Sequence, residues 1–519
     1  MPGGPKAIQG EDNAVLSMGP TTVGGTANGC TSGGGTVKRA ALLSTLVLAL
    51  CASACGTRVP EQTQALSSGG IGDGVPNATV SAGVRQSGGR GGASDANDGK
   101  VMFGDLEVPC NGGDTSSYTA TELGVTATEI RIATIADPGG PKPGLNQGVF
   151  DSMEAFVKWC NDLGGINGRK LKLDLLDAKI VEYQQRVQFA CENDFALVGG
   201  IGVLDNLGAQ DQVNCGLINV PAAAVNPEQT GADLTYASLP NPPHLYNVGP
   251  TNWIRERYPD VIDNAAAIYT DLSVTKMQSD RLVEAYEARG FKFTARPAAA
   301  ISESNWGPIV SQMKNRGVKF MTLTSSFEEV IPLVKEMAAQ NFKPLVELEA
   351  NYYNQKFPDQ AGSVADGVLV RLQAWPLEEA DKNPAMRQYL EIMKKYKPDG
   401  VLELLGVQAF SSGLLFATAA KSLGAEVTRE RLEQALRDIH TWSGGGMHAP
   451  TDPGAQRPSP CFIMMRVEGS KFVREYPRED TDPEVYHNDR QKGFACPRDE
   501  ESFVELRNVD YRSMGAKRK

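Results

Sequence analysis

At 519 residues, with 41% hydrophobic and 22% charged residues, the chain has the make-up of a soluble globular protein of two or three domains. Sixty-two acidic residues stand against 51 basic ones, a formal net charge of −11. That balance argues against a nucleic-acid partner, whose phosphates demand clustered Lys and Arg; the terminal run Lys517-Arg518-Lys519 is short and reads as solvated.

Near the start, Lys38-Arg39 precede the apolar run 40–50 (AALLSTLVLAL), and Ala52-Ser53-Ala54 lead into Cys55. A basic start, an apolar core too short to span a bilayer and small residues before a cleavage point make a secretory signal. The ending resembles the lipobox of bacterial lipoproteins. This implies lipidation of Cys55 and a membrane partner, with the mature chain held by its lipid on the outer face of the cytoplasmic membrane. Ala52 stands where lipoboxes usually carry Leu, so cleavage without lipid stays open. Residues 1–54 are read as the leader. Residues 55–122 are rich in Gly, Ser and Asp, with ten glycines in 66–100. Such a stretch buries too little apolar surface to offset its ordering entropy and is expected to be a flexible tether.

The body opens with an alternating strand at 129–135 (EIRIATI), then a turn-rich loop at 137–144 (DPGGPKPG). A helix follows with Val149, Met153, Phe156, Val157, Cys160 and Leu163 on one face; Gly164-Gly165 stop it, and 171–176 (LKLDLL) is a second strand. That is one βαβ unit. Strands are expected at 196–199, 216–220, 265–269, 318–324, 345–348 and 368–372. Helices are expected between them at 181–192, 274–289, 306–316, 328–340 and 384–395. Near-continuous apolar strands separated by helices mean parallel sheet covered on both faces. Helices 406–423 and 428–437 follow without a strand between, the second with Thr428 as N-cap, and strands 462–467 and 472–476 close the fold. About ten strands suit two sheets side by side, and the natural ligand site is the cleft beyond their carboxyl ends.

Nine cysteines less Cys30, Cys51 and Cys55 leave six, an even number that suggests disulfides in an exported chain. Fifteen pairings are possible; position favours Cys191–Cys215 and Cys461–Cys496 as local staples. No CxxC pair or Cys/His cluster has metal-ligand spacing, so neither metal nor cofactor is expected. Residues 199–205 (GGIGVLD) follow a strand and open a helix, but Asp205 falls where a dinucleotide fingerprint needs its third glycine and would repel pyrophosphate. Two readings remain: a turn offering N–H groups to a ligand carboxylate, or a purely structural turn. HExxH, GxSxG and GxxxxGK[ST] are absent, and Glu328-Glu329 and Glu378-Glu379 sit at helix starts where the dipole accounts for them. No catalytic residue is assigned.

Several segments occur in a telling order: 163–173 (LGGINGRKLKL), Val198-Gly199-Gly200, 220–230 (VPAAAVNPEQT) and Asp366-Gly367-Val368. Residues 427–436, then 442–446 and Asp452-Pro453-Gly454 continue it. Together they resemble the type I periplasmic binding proteins of the branched-chain amino-acid and amide class, the solute receptors of ABC importers, over about 125–476. The resemblance implies an α/β protein of two Rossmann-like lobes joined by a three-crossover hinge and closing on a small-molecule solute without covalent chemistry. The partner would be an ABC importer permease. Lobe I would hold 125–246 and 400–440, lobe II 247–399 and 441–500, with 501–519 a C-terminal tail. Ligand-binding positions implied at strand-to-helix switches are Asp137, Asp205, Ala223, Ser325, Ser326, Asn351 and Tyr352, with Tyr352 or Trp306 able to stack on a ligand. Val225 stands where a family Thr hydroxyl often helps, and Ser325 and Ser326 stand where aromatics are often seen. These departures weaken the case for an α-amino acid, and the expected solute is a small polar one, an amino acid, an amide or a related organic acid. A ligand-sensing lipoprotein using the same cleft is the alternative, and an exported hydrolase a more distant one.

Overall fold

The computed structural model describes residues 100–519. The leader, the lipidation site Cys55 and the tether up to residue 99 lie outside the described residues. Strands β1 (Met102–Phe103) and β2 (Leu106–Glu107) form an antiparallel ribbon at the start of the described chain. The tether expected to run to residue 122 therefore ends earlier. Phe103 is buried against the rings of Trp159 and Phe410, Cys110 is disulfide-bonded to Cys160, and Thr121 Oγ1 donates to the Val427 carbonyl at 2.6 Å. One buried aromatic and one covalent bond are enough to order a short polar segment that composition alone marks as loose.

The first α/β half is built from β3 (Glu129–Ala136), α1 (Gln147–Asp162), β4 (Lys170–Asp177), α2 (Tyr183–Asn193), β5 (Ala196–Val198), α3 (Asn206–Asn214), β6 (Ile218–Val220) and the short α4 (Pro227–Thr230). Its sheet has the order β4-β3-β5-β6 with every pair parallel. The face read from the sequence for α1 is the buried one: Val149, Met153, Phe156, Val157 and Cys160. Gly164 and Gly165, at φ 112° and 80°, turn the chain back into β4 in a conformation that costs side-chain-bearing residues dearly.

The second half runs through β7 (Leu245–Asn247), α5 (Gly249–Arg257), β8 (Ala265–Thr270), α6 (Ser273–Glu287), β9 (Phe293–Ala295), β10 (Ala298–Ala299) and α7 (Gly307–Asn315). It continues with β11 (Phe320–Thr324), α8 (Phe327–Ala339), β12 (Leu345–Leu348), α9 (Lys356–Ala361) and β13 (Leu369–Leu372). After α10 (Pro384–Tyr396), α11 (Leu404–Ser422) and α12 (Arg429–Arg437) come β14 (Ile463–Glu468) and β15 (Lys471–Tyr476). The sheet order is β10-β8-β11-β12-β13-β14-β15, with β9 also on β8. It is parallel up to β13, and then β14 and β15 add antiparallel. The reason is local: β14 and β15 are joined by Gly469-Ser470 alone, both at positive φ (57° and 61°), a two-residue hairpin turn that only antiparallel neighbours can share.

Two expectations about the lobes are corrected. Helix α10, placed in lobe II by its position in the chain, packs on α1 of the first half: Tyr389 hydroxyl lies 2.9 Å from Ser152 Oγ, and the Val401 amide just beyond it donates to Asp151 at 2.9 Å. Its apolar face (Ala385, Met386, Tyr389, Ile392, Met393) has its complement there. Residues 501–519 are not a loose tail. After the short α13 (Pro483–Tyr486) and α14 (Asp499–Ser502), β16 (Phe503–Glu505) pairs antiparallel with β7. The chain end packs onward through Gly515 and Ala516, while Lys517 and Arg518 stay exposed, as expected, and pair with Asp233 and Glu433 at the surface.

Helix α11 is long and apolar enough to cross a membrane, but it is mostly buried against α1, with Gly413 letting the Phe156 ring approach. Thr428 caps α12 as read, its Oγ1 accepting from the Arg431 amide at 3.3 Å. The six described cysteines pair as Cys110–Cys160, Cys191–Cys215 and Cys461–Cys496. Three passages of chain join the halves: between β6 and β8, between β13 and α10, and between α12 and β14.

Candidate functional site

The carboxyl ends of the two parallel sheets meet across a cleft. On the first side, β3 delivers Asp137, wholly buried, whose carboxylate accepts the Ile180 amide at 2.7 Å and the Val203 amide at 2.8 Å. Burial pushes its pKa up, and the two N–H bonds offset part of the rise. Asp205, 1% exposed, accepts the Val225 and Asn226 amides at 2.7 and 3.0 Å and the Asn226 side-chain amide at 2.7 Å. Burial pushes it up to about 7. Both carboxylates thus face inward and clasp the loops after β3, β5 and β6 to one another. Between them Gly199 (φ 71°) makes the turn out of β5, where an added Cβ would strike Met153 Sδ. Ala223 is half-buried on the adjoining loop, its side chain against the core.

On the second side, Ser325 Oγ lies 2.6 Å from Thr270 Oγ1, joining the ends of β8 and β11. Asn351 is exposed and donates to the Ser325 carbonyl at 3.0 Å. Tyr352 offers no ring face. It is wholly buried, its hydroxyl donating to the Leu323 carbonyl at 2.7 Å and accepting the Ser325 amide at 2.7 Å. Trp306, the other stacking candidate, is 2% exposed in the core. For Tyr352, burial of the ring outweighs display because its hydroxyl finds partners at a strand end, whereas the Trp306 indole Nε1 has none and its burial rests on the ring's apolar surface. Ser326 precedes α8, and its Oγ accepts from Lys142 Nζ at 3.1 Å.

That last contact crosses the cleft. Lys142, from the loop after β3, also pairs with Glu329 of α8 at 2.7 Å, with side chains 18% and 6% exposed; the Ser302 amide completes the Glu329 carboxylate at 3.0 Å. Gln278 of α6 donates to the Val225 carbonyl on the opposite side. Glu403 joins the halves again, accepting the Gly148 amide at the start of α1 (3.0 Å) and the Asn354 side-chain amide (2.9 Å), and burial pushes its pKa up to about 7. The structure thus groups Asp137, Asp205 and Ala223 on one wall and Ser325, Ser326, Asn351 and Tyr352 on the other. Lys142, Gln278 and Glu403, missed from the sequence, hold the walls together. Only Lys142 carried a signal: a lone cation in the otherwise uncharged part of a Gly/Pro loop facing a predicted cleft.

One serine and one histidine sit close enough to invite a catalytic reading: Ser411 Oγ is 2.8 Å from His448 Nε2. Both are wholly buried. His448 Nδ1–H donates to the Ala449 carbonyl at 2.8 Å, leaving Nε2 to accept from Ser411, whose oxygen accepts from Trp442 Nε1 at 3.0 Å. Burial pushes the imidazole down to about 4, so it stays neutral. This network pins α11 to the third passage between the halves. Among the described residues no group of three or more His, Cys, Asp and Glu is placed to hold a metal. Surface hollows of about 240 Å³ beside Tyr511 and about 410 Å³ beside Trp253 and Tyr476 lie apart from these cleft contacts.

Residues 129–471 match the periplasmic binding protein family, about two thirds of the chain, and the chain belongs to that family. Among curated relatives, a Leu/Ile/Val-binding protein homolog of Brucella suis biovar 1 is 21% identical over 301 residues, covering 56% of this chain and 78% of the relative. Among solved structures, a fatty acid ABC transporter substrate-binding protein from Thermomonospora curvata superposes with a TM-score of 0.60 at 15% identity, over 69% of this chain and 94% of its own. An ABC transporter solute-binding protein from R. palustris, in complex with 4-hydroxybenzoate, gives 0.57 at 15% identity, over 67% and 95%. The two-lobed type I fold with its three-crossover hinge is therefore the architecture of the chain. The family is one of extracytoplasmic solute-binding proteins.

Proposed function

We infer that the chain captures a small organic solute (an amino acid, an amide or a related organic acid) between its two lobes and hands it to an ABC importer. It would do so at the outer face of the cytoplasmic membrane, held there by a lipid on Cys55. The observation that carries this reading is the cleft: loop ends of both sheets converge on Lys142, Ser325, Ser326 and Asn351, whose donors are at or near the surface, while Asp137, Asp205 and Tyr352 hold those loops in place from behind. The Ser325 and Ser326 hydroxyls suit a carboxylate or amide, while the Val203 and Val225 N–H groups are committed to Asp137 and Asp205 and shape the loops instead. The relatives support the general class while their ligands differ, a branched-chain amino acid in one name, a fatty acid in another and 4-hydroxybenzoate in a third.

A thermal-shift panel of amino acids, amides, short-chain acids and aromatic acids tests it. One class should stabilise the protein by RT ln(1 + [L]/Kd), about 2.7 kcal/mol at a hundredfold excess over Kd. A folded protein silent across the whole panel sinks the reading. Binding in the panel without uptake in reconstituted importer vesicles points instead to the sensing lipoprotein.

A further inference from the structure

The family match ends at residue 471, yet the chain goes on to make a fourth link between the two halves. Its first anchor lies on the second half. Strand β16 pairs with β7 residue for residue (Phe503 with Asn247, Glu505 with Leu245), and the Leu506 amide donates to the His244 carbonyl at 2.8 Å. Leu506 and Tyr511 are buried against Val248 of the first passage and Ala285 of α6. The Asn508 amide donates to Glu284 of α6 at 3.0 Å.

The second anchor lies on the first half. Gly515 passes so close to Gly231 that a Cβ on it would strike the Gly231 carbonyl. Ala516 exchanges backbone hydrogen bonds with Glu228 (3.0 Å) and Asp233 (2.9 Å) and is buried with Ala209 and Val213 of α3. Arg518 forks onto Glu433 of α12 at 2.7 and 2.9 Å, its amide donates to Asp233 at 2.9 Å, and Lys517 pairs with Asp233 at 3.3 Å.

We propose that residues 503–518 are an interlobe strap that holds the halves in their approximated arrangement and so sets how far the cleft opens. A hinge of three single passages of chain resists rotation less than a continuous packed interface would. The strap adds a packed cluster on each side and a bidentate Arg–carboxylate pair at its end, joined by a short segment with little slack. Rotation that separates the halves must therefore stretch or unseat one anchor. The link needs no ligand to operate, so it stands whether or not the solute assignment does.

The test is the interlobe distance in the ligand-free protein, measured by pulsed electron spin resonance between labels on Gln185→Cys (α2) and Lys335→Cys (α8), both exposed positions. Two variants carry it: a chain ending at Leu506, which keeps β16 and the Cys461–Cys496 bond, and the full chain with Lys517→Glu and Arg518→Glu, which turns the terminal anchor repulsive. Both should shift the distance distribution to longer values and broaden it, while near-ultraviolet dichroism stays native. Distributions that match the parent in both variants would overturn the strap, and so would a loss of native dichroism in the charge variant, since the segment would then serve folding.

Discussion

Asp205 holds three hydrogen bonds on a carboxylate that burial keeps near a pKa of about 7. Asp205→Ala leaves two buried amides unpaired and should cost about 2–4 kcal/mol in urea denaturation, by the ~1–3 kcal/mol each unsatisfied group forfeits. It is thus a stability position first and a ligand position only through the loop it shapes. The pH dependence follows from the same burial. Asp205 and Glu403 ionise at about 7 in the native state against 3.8 and 4.5 when unperturbed, so the native state binds more protons across that window. Their contribution to stability is full below about pH 4 and declines as pH rises to about 7. His448 runs the other way: native at about 4 and unperturbed at 6.5, it withdraws stability as pH falls between those values. Denaturation at pH 5 and pH 8 should therefore show the Asp205→Asn variant losing part of the decline toward pH 8, and the His448→Gln variant losing part of the opposing decline toward pH 5.

At the scale of elements, the cleft contact between Lys142 and α8 is the one most exposed to test. Its ion pair is largely buried and forms only when the loop after β3 meets α8. Lys142→Met should weaken binding of whichever solute the panel identifies by between tenfold and a hundredfold (roughly 1.4–2.8 kcal/mol), since a partly buried carboxylate loses its partner on closure. Unchanged affinity by calorimetry would assign the pair to surface electrostatics. Helix α11 supplies a second check. Gly413→Val puts branched carbon against the Phe156 ring and should cost about 1–3 kcal/mol of stability by overpacking, measured by thermal unfolding.

Much of the element layer is readable from the chain: the α1 face, the Gly164-Gly165 stop, the Thr428 cap and the succession of strands and helices along the chain follow from periodicity and local backbone chemistry, whereas the order of strands within each sheet does not. What escaped was decided at a distance. Helix α10 has an unremarkable amphipathic pattern, and nothing local says that its apolar face belongs on α1 rather than on the sheet that precedes it. Tyr352 and Trp306 carry the same side chains whether they face a ligand or the core, and the choice was made by partners such as the Leu323 carbonyl and Ser325 amide.

At the scale of the molecule, three disulfides among the described residues close loops of 50, 24 and 35 residues, one in the ordered N-terminal segment, one between α2 and α3, and one beneath the C-terminal segment. Each should contribute about 2–4 kcal/mol, so scanning calorimetry with and without reductant should show a lower unfolding temperature in the reduced form. The Cys461–Cys496 bond ties the closing segment to β14, and its loss should also loosen the strap.

By itself the sequence determined the class of fold and of function, because strand and helix periodicity, glycine turns and the order of short motifs are properties of neighbouring residues. The tertiary structure alone decided which charged and aromatic side chains face the cleft and which merely hold its walls. It also decided that 101–122 and 501–519 are parts of the folded body. Those outcomes rest on contacts between residues far apart in the chain, where burial and the need to satisfy each buried polar group decide which way a side chain faces.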